Sequence, residues 1–222
     1  MATENFFTEK LEQSTIKSSI VNDYFYSWAK ILISKSNWVK NGFPKILFFD
    51  LFSGPGVYED KSPSTPIKIL KCAIENPEIG NSLATIFNDA YYREPLEENI
   101  LALQGIEKLK FKPVIYGKEA DDQTFLNLLK RPNRPATLAF IDPFGYAGVS
   151  KELFEIILSK WGSEIIFFFN YRRINAAIDN PTVQNHMVKL FGEEQLIILK
   201  EAIRNKKPKE RENIILQATI NL

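Results

Sequence analysis

Two apolar runs each stop at an acid and then turn on glycine and proline. They are Ile46-Leu47-Phe48-Phe49-Asp50-Leu51-Phe52-Ser53-Gly54-Pro55-Gly56 and Leu138-Ala139-Phe140-Ile141-Asp142-Pro143-Phe144-Gly145. Read as buried strands of a parallel sheet, both deliver a carboxylate to the end of the sheet where ligands bind. Gly54 and Gly56 remove side chains where a ligand can lie against the backbone. Asp50 is placed to receive a ligand's amino group, directly or through water, and Phe52 lies in the same turn. The plain alternative is an ordinary tight turn after a strand.

Further acids follow in the same order along the chain. Asp89, after residues 83–87, suits the two hydroxyls of a ribose, or is a helix cap or a solvent-facing acid. Glu119, after Tyr116-Gly117-Lys118, is a candidate for an adenine amino group. Asp142 and the carbonyl of Pro143 can accept the two hydrogens of an exocyclic or amide nitrogen. That orients its lone pair toward an electrophile, so catalysis there is largely positioning. Phe144 or Tyr146 can stack on a planar acceptor. Otherwise this is a structural turn with Phe144 in the core. Arg172 and Arg173 can hold a phosphate backbone or a carboxylate, or only cap carbonyls and form surface ion pairs. Together these positions imply S-adenosylmethionine as cofactor, bound by Asp50, Phe52, Gly54, Gly56, Asp89 and Glu119. Asp142, Pro143 and Phe144 then form the catalytic group, and Tyr146, Arg172 and Arg173 meet the substrate.

Other chemistries fit less well. A dinucleotide fingerprint lacks its third glycine, and no Gly-Lys-Ser/Thr makes a phosphate loop. His186 is the only histidine and Cys72 the only cysteine, so a zinc site and a disulfide framework are not expected. Cys72 reads as a small core side chain. The run from Lys206 to Arg211 reads as a solvated loop.

The elements that must carry these residues follow from periodicity. A first helix is expected over 8–34, with Ile16, Ile20, Tyr24, Trp28, Ile31 and Leu32 as its apolar stripe. Strands are expected over 45–50, 83–87, 111–116, 137–141 and 164–169. Helices are expected over 67–75, 94–104, 120–130 and 150–160, with Asp121 and Asp122 in the first turn of the third and Ser150 capping the last. Residues 183–191, 194–204 and 210–218 read as further helices, with 214–220 as the one place for an extra strand. The pattern predicts an α/β, doubly wound, mostly parallel sheet covered on both faces. Helical segments stand at either end, and the chain divides into a 1–180 domain and a 181–222 extension.

Composition agrees with a packed α/β protein: 222 residues, 45% hydrophobic, 13% aromatic and a formal charge of +1. Near-neutral charge argues against a surface that binds nucleic acid everywhere, while allowing a local basic patch. The start of the chain lacks an apolar targeting core, and residues 165–169, the longest apolar run, are too short to span a bilayer. A soluble, cytoplasmic protein is expected.

At this point the chain resembles the three-Cys-motif partner protein family of bacteria and their mobile elements. The resemblance is carried by Lys17 with Tyr24 and Trp28, the run from Phe49 to Tyr58, Ser64-Thr65-Pro66, the run from Phe140 to Tyr146, and Phe169-Asn170 with Arg173. It spans about residues 16–175. It implies a Rossmann-like sheet of the class I methyltransferase type. It also implies a protein partner bearing three cysteines, similar to radical S-adenosylmethionine enzymes. Family members usually continue into a winged-helix-like part.

Three readings follow. The first is an S-adenosylmethionine-dependent methyltransferase acting on a planar nitrogen, foremost in nucleic acid. The second is a catalytically silent scaffold for the three-cysteine partner, docking through Tyr24, Tyr26 and Trp28, although core packing is expected for at least two of these. The third is a magnesium-dependent nuclease with Asp50, Asp89 and Asp142 as metal ligands.

Overall fold

A computed structural model of the chain describes residues 12–36, 39–40, 42–58, 60–143 and 147–222. Phe144 and Tyr146 lie outside them. Five parallel strands form one sheet in the order β3-β2-β1-β4-β5. The strands are β1 (Ile46–Asp50), β2 (Leu83–Asn88), β3 (Val114–Tyr116), β4 (Ala136–Ile141) and β5 (Glu164–Phe167). The chain winds outward through β2 and β3, then returns past β1 to place β4 and β5 on its other side. The fold is therefore α/β and Rossmann-like, and its order reverses between β1 and β4.

β1 and β4 are buried at every position, as strands covered on both faces must be. Alternate residues feed two cores. Ile46, Phe48, Leu138 and Phe140 face one cluster, and Phe49, Ala139 and Ile141 face the other. The first cluster is closed by α1 (Glu12–Lys35), α2 (Thr65–Glu75), α3 (Pro77–Gly80) and α4 (Arg93–Leu101). The second is closed by α5 (Gln123–Leu129), α6 (Lys151–Leu158), α7 (Tyr171–Ala177), α8 (Gln184–Phe191), α9 (Glu193–Ile203) and α10 (Pro208–Ile220). Met187, Leu190, Leu196, Leu199 and Ile215 thus bury their side chains in the same core as Phe49 and Leu153.

Local signals account for the helix starts. Ser150 Oγ accepts the Leu153 N–H, Asp122 Oδ1 accepts the Thr124 N–H, and Asn170 Oδ1 accepts the Arg173 N–H, as caps for α6, α5 and α7. Asp122 is thus a cap, one residue before the helix in which it was expected. The Thr124 hydrogen bonds, followed by Lys118, hold its carboxyl down at about 2.

Three expectations are corrected. The buried face of α1 is Val21, Phe25, Trp28, Ala29, Leu32 and Ile33, whereas Ile16, Ile20, Tyr24 and Ile31 lie on the outer face, 46–59% exposed. The helix carries two apolar stripes, and the one with Phe25 wins because that ring meets Phe48 edge-on at 5.5 Å. The fifth strand, expected to reach residue 169, ends at Phe167, and Asn170 caps α7. Residues 214–220 are helical, in α10.

Candidate functional site

The order of the sheet puts Asp50 and Asp142 at the carboxyl ends of the two strands that flank its reversal, where open α/β sheets form their ligand crevice. Leu51 N–H donates to the Phe140 carbonyl at 3.3 Å, so the strands stay paired one residue past Asp50.

Asp50 is 1% exposed. Its Oδ1 accepts the Phe52 N–H at 3.2 Å, while Oδ2 is buried and has no hydrogen-bond partner. Burial pushes its carboxyl well above the ordinary range and the nearby charges of Asp142 and Asp89 push the same way, while the Phe52 N–H and, more weakly, the Ser53 hydroxyl oppose them. A buried acceptor without a donor costs free energy. It is also an acceptor suited to a cationic donor.

The loop after β1 turns beside it on two glycines, both buried. Gly54 has φ 62° and Gly56 φ 86°, a region L side chains rarely enter. Gly56 has a further reason to be glycine. A Cβ there would meet Leu96 Cδ1 at 3.2 Å, so this residue serves the packing of the loop on α2 and α4. Asn99 Nδ2 holds the loop by donating to the Pro55 carbonyl at 2.9 Å. Phe52 is half-buried against the second core.

Asp89 is engaged from within. Its Oδ2 accepts the Gly54 N–H at 2.9 Å, and its Oδ1 accepts the N–H groups of Tyr91 and Tyr92, each at 3.0 Å. A carboxylate offers about four acceptor directions, so about one remains for a ribose hydroxyl. Asp89 clamps the glycine loop to the end of β2. Its neighbour Asn88, 1% exposed, was not singled out in the sequence. Its Nδ2 donates to the Leu51 and Lys118 carbonyls at 3.1 and 3.0 Å, and its Oδ1 accepts the Lys118 N–H at 3.0 Å. One side chain thereby ties the loops after β1 and β3 to β2. The only signal for it is an asparagine ending an apolar run. Glu119 is exposed beyond this junction.

Asp142 and Pro143 are half-buried after β4. Lys17 of α1 donates to both Asp142 oxygens, at 3.1 and 2.8 Å. The same Nζ lies 4.1 Å from the centroid of the Phe168 ring. The pairing of Lys17 with a residue 125 positions away has no local signature in the sequence. Tyr58 stands in the same neighbourhood. Burial pushes its phenol up, and the charges of Asp142 and Asp60 add to this.

Arg172 and Arg173 are exposed in the first turn of α7. Cations there oppose the helix dipole at a cost of about 0.3–1 kcal/mol each, so helix stability does not account for them.

A groove of about 510 Å³ opens between α1 and α2, lined by Asn22, Asp23, Tyr26, Lys68, Cys72 and Glu75 among others. None of the candidate site residues lines it. Burial raises the Cys72 thiol to about 11, which suits a core side chain and not a nucleophile. Among the described residues, no three His, Cys, Asp or Glu side chains are grouped to share a metal ion. Asp89 is turned to backbone N–H groups and Asp142 to Lys17. No described helix is long and apolar enough to cross a membrane.

Comparison with protein-family models, curated proteins and solved structures finds no match to this chain.

Proposed function

We propose that the protein is an S-adenosylmethionine-dependent methyltransferase acting on a nitrogen held at Asp142. The observation that carries this reading is the unpartnered, buried Oδ2 of Asp50 at the sheet's reversal, beside the left-handed turn at Gly54. The residues present fit the cofactor's amino-acid end: an ammonium group supplies the donor that Oδ2 lacks. Gly54 adds no side chain to the loop beside it, and Asp89 keeps about one acceptor direction for the ribose. The cofactor, when bound, supplies an electrophilic methyl group on a sulfonium. Asp142 and the Pro143 carbonyl orient the acceptor's N–H groups, and no strong base is required because the nitrogen sheds its proton after charge has developed. A planar nitrogen, foremost in nucleic acid, is the acceptor we favour.

Calorimetry of the full chain with S-adenosylmethionine and S-adenosylhomocysteine tests the reading. Saturable heat from either supports it. Folded protein giving none from both removes it.

The nucleic-acid clause has its own test. Replacing Arg172 and Arg173 together by Ala is expected to weaken binding to single-stranded nucleic acid at low salt. It should also reduce the slope of log affinity against log salt by up to about 0.7 for each phosphate no longer neutralised. Cofactor affinity should stay within about twofold, since substitutions of exposed side chains usually perturb a fold little. Unaltered nucleic-acid binding would point to another acceptor.

A second reading, a scaffold for the three-cysteine partner implied by the resemblance, is favoured by the outer face of α1. Ile16, Ile20 and Tyr24 are 46–56% exposed there, and exposed apolar surface marks interaction sites; Tyr26 lies apart from them, in the groove between α1 and α2. Core packing was expected for at least two of the three aromatics; only Trp28 is core, with its Nε1–H donating to the Gly162 carbonyl at 3.0 Å, while Tyr24 and Tyr26 are exposed. Stable co-purification with the partner alongside absent cofactor binding selects the scaffold.

A further inference from the structure

We propose that Lys17 is an internal occupant of the acceptor site, and that the ligand this site receives is a primary amino group. The inference rests on reading Asp142 as the acid that binds the acceptor, and it departs from the planar nitrogen favoured above: a protonated amine has no lone pair, so it must pass one proton to a base such as the Asp142 carboxylate before its nitrogen can take a methyl group.

The Lys17 ammonium presents two N–H donors to the two oxygens of Asp142 and sets its charge over the face of Phe168. A carboxylate that accepts two donors beside an aromatic face is the set of contacts an incoming amino group requires. Phe168 is fixed for this purpose: its ring meets Phe140 edge-on at 6.2 Å, and its N–H donates to the Ile141 carbonyl at 2.9 Å. The turn of α1 that carries Lys17 is also fixed. Lys68 of α2 donates to Ser18 Oγ at 2.6 Å and Ser19 Oγ at 3.2 Å.

The occupant is displaceable. The side chains of Lys17 and Asp142 are 28% and 29% exposed, and ion pairs open to water are weak. Lys17 is flexible along four methylenes, so its ammonium can leave while α1 stays docked through Phe25 and Trp28. An acceptor entering the site competes with a tethered group. Its apparent affinity falls by the fraction of time the site stands open, a penalty of about tenfold for a site open one tenth of the time.

Lys17→Met keeps the apolar stem over Phe168 and removes the charge. The full chain is titrated with n-butylammonium near neutral pH, followed by amide NMR shifts, with n-butanol as the neutral control. Lys17→Met is expected to saturate only in a titration carried to high ligand concentration, since a single ion pair open to water is weak. Wild type should bind about tenfold more weakly, and Lys17→Met with Asp142→Asn should not saturate. The proposal is overturned by equal affinities in wild type and Lys17→Met, by equal binding of n-butanol, or by failure of Lys17→Met to saturate.

Wild-type protein gives an independent readout should the variant not fold. In limited reductive methylation with mass-spectrometric mapping, Lys17 should be modified more slowly than the exposed Lys40 and Lys112. Asp142→Asn should abolish the difference. A Lys17 as reactive as those two lysines overturns the proposal. None of these readouts involves S-adenosylmethionine, so failure here leaves the cofactor reading standing, and absence of cofactor binding leaves this result interpretable.

Discussion

Arg134→Leu is expected to destabilise the protein by about 3–5 kcal/mol. Arg134 is 5% exposed, and all three of its guanidinium nitrogens donate. Its Nε donates to the Leu129 carbonyl at 2.8 Å; Nη1 donates to Thr137 Oγ1 at 2.7 Å and Ser163 Oγ at 3.3 Å; Nη2 donates to the Ile156 and Ile157 carbonyls at 2.9 and 3.1 Å. Three of those acceptors are carbonyls in the last turns of α5 and α6, where the helix dipoles are negative. The arginine is therefore a shared cap for two helices at the foot of β4. Leucine fills the volume but orphans the acceptors at about 1–3 kcal/mol each, partly relieved by water. Lysine offers three donors from one point and lacks the planar fork, so Arg134→Lys should recover less than half of the loss. Urea unfolding measures this, with exposed Arg131→Leu as a control expected within about 0.5 kcal/mol of wild type. An Arg134→Leu protein within about 1 kcal/mol of wild type would refute the capping role.

Arg134 also shows where sequence reading stops. Its segment, Arg131-Pro132-Asn133-Arg134-Pro135, reads as a helix break, which it is. Nothing local tells that one arginine of the break turns inward and its neighbour outward. The strands were legible because β1 and β4 are unbroken apolar runs bounded by Gly and Pro, and a strand buried on both faces has few other ways to look. The same holds for Ser150 before α6, whose cap chemistry is contained within four residues. The face of α1 was legible only at Trp28 and Leu32, because Ile16, Ile20 and Tyr24 match the helical period as well as Val21, Phe25 and Ala29 do. The choice is made by Phe48, on a strand distant in sequence. In the candidate site, Asp50 and Asp142 were legible from their place at strand ends. The inward use of Asp89, the junction at Asn88 and the contact of Lys17 with Asp142 are long-range pairings that no spacing encodes.

Asp50→Asn is expected to separate stability from ligand binding. The Asp50 carboxyl is held well above its ordinary value, 3.8, so the folded state keeps the proton to higher pH than the unfolded chain does. Folded protein then binds more protons than unfolded protein between the two values. Stability therefore falls as pH rises from the ordinary carboxylate value to the raised one, and the loss is complete above it. Asparagine has nearly the same shape and keeps an oxygen for the Phe52 N–H, but it never carries the buried charge. The variant should match wild type near the ordinary carboxylate value. It should gain on wild type by up to about 1.4 kcal/mol per pH unit through the window above it. Under the proposed function the same change removes the partner of the cofactor's ammonium group. Loss of one member of a buried charge pair costs about 2–5 kcal/mol, which is a fall in affinity of about 30-fold or more by the factor of ten per 1.4 kcal/mol. In wild type the bound ammonium requires ionised Asp50, so cofactor affinity should rise with pH up to the raised value and level off beyond it. Urea unfolding across a pH series checks the first half, and calorimetry across the same series checks the second. Parallel stability curves for the two proteins would show that Asp50 is not the strained acid its burial indicates. A stabilised variant that still binds cofactor like wild type would move the amino-acid end of the ligand away from this strand end, and with it the assignment of Gly54.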